Sequence, residues 1–213
     1  MSAVNEWVVK EYFEASGFLV QQPRKYDIPG RKKSPGEEVD LIVLNPLVTE
    51  HRVPDHIVWN TEDLAHISRA VVGVRGWHTE RFYVSTFEQT PEILKFTESE
   101  SLDFALRQLG PGPLAKILCI PRLPASGELK DDTIAVLKGK GIDGIISFAT
   151  MLRDLITHVE VNHNYVKSDL LQVIRLLKSY DLIKDVQMDF FAKRDRRPAR
   201  SRKAQKSEAA PSV

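Results

Sequence analysis

The chain has 213 residues, 42% of them hydrophobic, and a formal net charge of +1. That length and apolar content suffice for one well-packed core and argue against two large domains. No apolar run approaches the roughly 20 residues of a membrane span, and the opening MSAVNEWVVKEYF lacks the basic-then-apolar order of a signal peptide.

The expectation is therefore a cytoplasmic protein without a membrane partner. Cys119, the only cysteine, stands in the apolar run AKILCI, so no disulfide framework and no cysteine-based zinc site is available within one chain. The near-neutral total hides an uneven distribution. Residues 193–213, KRDRRPARSRKAQKSEAAPSV, carry eight Lys/Arg against two acids and read as a disordered basic tail. Residues 1–192 then hold 22 basic and 27 acidic side chains and read as one domain of net charge −5. A body of that sign is not a basic nucleic-acid binder as a whole, so any basic surface has to be local.

In chain order, NEWVVKEYFEASGF predicts a helix with Asn5 as cap, Val8, Val9, Tyr12 and Phe13 on its apolar side, and Gly17 as its stop. FLVQQ predicts a short strand. PRKYDIPGRKKSPGE is then a loop, with three prolines and two glycines around Arg24, Lys25, Arg31, Lys32 and Lys33. EEVDLIVLNP predicts a second strand stopped by Asn45-Pro46, and NTEDLAHIS a short helix capped by Asn60 or Thr61. RAVVGVRGWHTERF, residues 69–82, predicts a buried strand running into a polar, aromatic edge.

Beyond it, TPEILKFTESESLDFALRQLG has helical spacing, broken near Ser99 and ended by Gly110. LAKILCIPRLP predicts a strand, Glu128 to Lys138 a helix, IDGIISF a strand, and ATMLRDLITHV a helix. A last helix, SDLLQVIRLLKSYDLI, puts Leu170, Leu171, Ile174, Leu177 and Leu182 on a stripe that reads as core, with a homodimer face as the alternative. The order implies an α/β fold with a mixed sheet flanked by helices and extra C-terminal helices.

Several chemistries lack support. GKGIDG lacks the glycine spacing of a phosphate loop, no G-x-S-x-G elbow or Cys-His pair is present, and the histidines at 51, 56, 66, 158 and 163 form no zinc signature.

The early elements do resemble a family. Glu6 on the first helix, Gly17-Phe18, the strand LVQQ and its polar loop, and GEEVDLIVLNP follow the pattern of the PD-(D/E)XK, restriction-endonuclease-like nucleases, nearest to the archaeal-type Holliday junction resolvases. The resemblance covers residues 5 to about 121 in element order. It implies that Asp40, at the head of the second strand, holds Mg²⁺, and that the third strand carries an acid, a spacer and a lysine. Those positions are Gly73, Val74 and Arg75.

The chemistry explains why that departure matters. Mg²⁺ prefers oxygen ligands in octahedral geometry, and two carboxylates on adjacent strands hold it against the scissile phosphate. Residues 73 and 75 share strand parity, so their side chains share a face. Glycine offers no ligand, and a guanidinium that never deprotonates is no base, although it binds phosphate well.

The resemblance thus implies a nuclease-like protein with a degraded site. It would bind nucleic acid, DNA in preference to RNA, through Lys25, Arg31, Lys32, Lys33, Arg75, Trp77, His78 and the tail. One alternative is an active Mg²⁺ endonuclease in which Glu6, Glu62, Asp63 or Glu80 supplies the missing carboxylate. Another is a non-catalytic protein-interaction subunit. A structural Asp40–Arg75 ion pair stands beside the metal reading, because an acid between Val39 and Leu41 on a buried strand needs a partner. Glu6 has the alternative role of favouring the helix N-terminus electrostatically.

Overall fold

The computed structural model describes residues 3–23 and 38–183. The basic loop residues Arg24, Lys25, Arg31, Lys32 and Lys33, and the tail 193–213, lie outside them.

Among the described residues five strands form one mixed sheet in sequence order: β1 (Leu19–Gln21), β2 (Leu41–Leu44), β3 (Arg69–Val74), β4 (Ala115–Ile120) and β5 (Gly144–Ser147). β1, β2 and β3 run antiparallel in succession, with Gln21 opposite Ile42 and Leu41 opposite Val72. β4 and β5 continue from β3 in parallel. The two parallel steps need crossovers, and the sequence supplies helices for both.

Alternation along the strands divides the core in two. Leu41, Val43, Ala70, Val72, Val74, Ile117 and Cys119 face α1 (Ala3–Ala15), α5 (Phe148–His158) and α6 (Asp169–Ser179). Ile42, Val71, Leu118, Ile120 and Ile145 face α2 (Val84–Gln89), the 3-10 helix Pro91–Thr97, α3 (Ser99–Leu109) and α4 (Gly127–Gly139). The result is an α/β fold with a sheet flanked by helices on both faces. Among the described residues no helix is long and apolar enough to cross a membrane.

Local signals account for the boundaries. α1 ends in a left-handed reversal at Gly17 (φ 86°), where Phe18 N donates to Phe13 O at 3.0 Å and Gly17 N to Glu14 O at 3.0 Å. The Phe13 and Phe18 rings close that reversal edge to face at 5.4 Å. Ser147 and Ser168 cap α5 and α6 by accepting from Thr150 N and Leu171 N.

Some expectations need correction. Asn5 does not cap α1; it lies inside the helix and is buried. β3 stops at Val74, so Arg75, expected to share the strand with Gly73, stands one residue past its end, and the unforeseen α2 follows. Leu182 is exposed beyond the end of α6, so the apolar stripe of that helix ends at Leu177.

Candidate functional site

Because β2 runs against β3, the head of β2 meets the end of β3, and Asp40 meets Arg75 there. The Asp40 carboxylate accepts from Val74 N at 2.7 Å and from an Arg75 Nη at 2.6 Å. That same Nη donates to Val74 O at 2.7 Å. The rest of the guanidinium fork turns to the 3-10 helix, where Nε and the second Nη donate to Ile93 O at 3.1 and 2.6 Å. The guanidinium carbon lies 5.8 Å from the centroid of the Phe96 ring.

The side chains of Arg75 and Asp40 are 6% and 12% exposed. A planar donor fork with this many protein acceptors is a structural cation, withdrawn from solvent and from external phosphates. The expected Asp40–Arg75 ion pair is present.

Gly73 faces the same layer. A Cβ built there would lie 2.5–2.9 Å from three atoms of the Phe96 ring. The space in front of residue 73 is thus filled by an aromatic ring from the crossover. Sequence reasoning found Gly73 and Arg75 but not Phe96 or Ile93, because a contact between a strand and a later crossover has no local signal.

The segment after β3 is pinned to α1. Asn5 Nδ2 donates to Gly76 O at 3.3 Å, which leaves Asn5 Oδ1 to accept from His78 Nε2 at 2.8 Å. His78 also meets Phe148 edge to face at 4.8 Å. Trp77 stacks on Phe82 at 5.5 Å with 14° between the rings and remains 36% exposed. Asn5, expected only as a cap, is thus the residue that positions His78.

The remaining acids do not gather around Asp40. Glu6 accepts from Gln22 Nε2 at 3.3 Å, just past β1. Asp63 pairs with His56 at 3.0 Å and accepts from Asn60 N at 2.8 Å, while Glu62 and Glu80 are exposed. Among the described residues no group of three or more His, Cys, Asp or Glu is arranged to hold a metal ion. A cation at Asp40 would have to break its pair with Arg75.

Two buried groups are structural. Tyr12 donates to Thr61 Oγ1 at 2.9 Å, and Thr61 Oγ1 donates to Asp154 at 2.6 Å, linking α1 to α5; burial pushes the Tyr12 phenol up. Burial likewise pushes the Cys119 thiol up, which leaves it an inert core group.

No family model matches the chain, and no curated protein or solved structure matches it.

Proposed function

We propose that this chain is a nuclease-like nucleic-acid-binding protein whose PD-(D/E)XK-type site has lost its chemistry. One observation carries the reading: a buried guanidinium neutralises Asp40 at the strand junction where the restriction-endonuclease-like enzymes hold a metal ion. Helix, three antiparallel strands and then a parallel crossover strand agree with that ancestry.

The binding half of the proposal rests on placement. Gln21 pairs with Ile42, so the loop between β1 and β2 leaves and re-enters the sheet at the Asp40 end. Lys25, Arg31, Lys32 and Lys33 are tethered there by short stretches of chain. Trp77 and His78 follow β3 at the same end of the sheet and offer an aromatic face and an imidazole there. Arg75 is removed from the contact set by its burial, and its part is to neutralise Asp40.

The negative body favours the second reading, a protein-interaction subunit without a nucleic-acid partner, and one experiment separates the two. Fluorescence anisotropy with labelled duplex DNA, branched DNA and single-stranded RNA, read from about 50 to 200 mM salt, should show binding to DNA that falls steeply as salt rises. Deleting residues 193–213 should flatten that dependence. No binding even at the lowest salt selects the protein-interaction reading. The same samples with Mg²⁺ or Mn²⁺ should show no cleavage. Cleavage abolished by Asp40→Ala would select the active endonuclease with a relocated carboxylate.

A further inference from the structure

A groove of about 430 Å³ lies between α1 and the turn that leads into α6, its lining including Glu11, Glu14, Tyr165, Lys167, Ser168 and Leu171. Glu11 is 6% exposed, and its partner among the described residues is the Trp7 indole, whose Nε1 donates to Oε1 at 3.2 Å. Its second oxygen is not sealed in, since among the described residues no buried side-chain oxygen or nitrogen lacks a hydrogen-bond partner. Glu11 itself is part of the groove lining.

A carboxylate so largely removed from water is costly without a cation. Lys10 is engaged with Glu14 at 3.6 Å, and Lys167 makes no ion pair with Glu11. Tyr165 is held in the lining by its hydroxyl, which accepts from Glu160 N at 2.9 Å, and by its own N–H, which donates to Gln172 Oε1 at 3.2 Å. A buried carboxylate, a second carboxylate in the lining and a tyrosine ring suit a guanidinium, which pairs with carboxylates and stacks on aromatic faces.

We propose that this groove is a docking site for arginine side chains of the chain's own basic segment, residues 193–204. That segment, KRDRRPARSRKA, holds seven Lys/Arg against one acid. Its reach is sufficient. α6 ends in a left-handed reversal at Asp181 (φ 55°), with Leu182 N donating to Leu177 O at 2.9 Å and Asp181 N to Lys178 O at 3.1 Å. The groove sits at the opposite end of α6, beside Ser168 and Leu171, about 16 Å away by the rise of an 11-residue helix. The ten residues 184–193 span up to about 33 Å when extended. The inference does not depend on the nucleic-acid reading.

The test uses the full chain. Trypsin is added at low concentration and low salt, and cuts within residues 193–206 are timed by mass spectrometry in the parent, in Glu11→Gln and in Glu14→Gln. Glu11→Gln keeps an oxygen for the Trp7 indole and removes only the charge. The parent's cuts should be about three- to ten-fold slower than those of Glu11→Gln, with Glu14→Gln between them. The difference should vanish in about 1 M NaCl, where exposed charges are screened. Equal rates at low salt in all three proteins overturn the proposal. Protection that grows with protein concentration also overturns it, because the occupant would then be the segment of a second copy.

Discussion

The carboxylate of Asp40 and the guanidinium of Arg75 lie 2.6 Å apart at the junction of β2 and β3, and each is nearly withdrawn from solvent. A pair of this kind contributes less through its attraction than it costs when one member is lost. Asp40→Ala leaves a guanidinium held in place by Ile93 O and Val74 O with no negative charge beside it. The expected loss is about 3–5 kcal/mol, measured as a shift of the urea midpoint. Combining it with Arg75→Met should recover part of that loss, since the double variant buries no charge. Mg²⁺ should not raise the melting temperature of the parent. A metal-dependent rise would mean that a cation competes successfully for Asp40 and that the pair is not the resting arrangement.

Gly73 and Phe96 are similarly interdependent. Gly73→Ala places a methyl group 2.5–2.9 Å from the Phe96 ring, so the ring or the strand has to shift. Overpacking of this kind costs about 1–3 kcal/mol. Phe96→Leu should cost stability alone yet reduce the penalty of Gly73→Ala, giving a favourable coupling in a double-mutant cycle by thermal or urea unfolding. For the same reason Gly73→Glu alone should unfold the chain. Strictly additive losses would show that Gly73 is not conserving space for the ring.

The residues that were legible in the sequence and those that were not differ by the range of the interaction that places them. β4, β5, α4 and α5 are announced by local runs and spacing, and the break at Ser99 separates a 3-10 helix from α3. Asp40 and Arg75 could be paired from sequence because an acid in a buried strand demands a partner and a nearby strand offered one. Asn5 was misread, since a polar residue near a helix start resembles a cap. Its side chain answers instead to Gly76 and His78, more than 70 residues away. α2 escaped notice because six residues show less than two turns of periodicity.

His51 Nδ1 accepts from Ser68 N at 3.2 Å and meets Ser68 Oγ at 2.9 Å. With Arg52 N donating to His66 O at 2.9 Å, this contact ties the stretch after β2 to the residues that lead into β3. Accepting from a backbone N–H requires a free lone pair on Nδ1, so the ring carries its proton on Nε2. Burial lowers the His51 pKa below the ordinary 6.5, the nearby Arg69 lowers it further, and Asp143 opposes both. A folded-state value below the unfolded one means that the unfolded chain binds more protons. This contribution to stability is therefore complete above about pH 6.5 and is lost as the pH falls through the folded-state value. Subtracting the pH profile of His51→Gln, whose amide oxygen can still accept from Ser68 N, isolates that slope from the other histidines. NMR titration should place His51 below 6.5. A value at or above it, or identical pH profiles for parent and variant, would mean that the neutral ring does not hold this junction together.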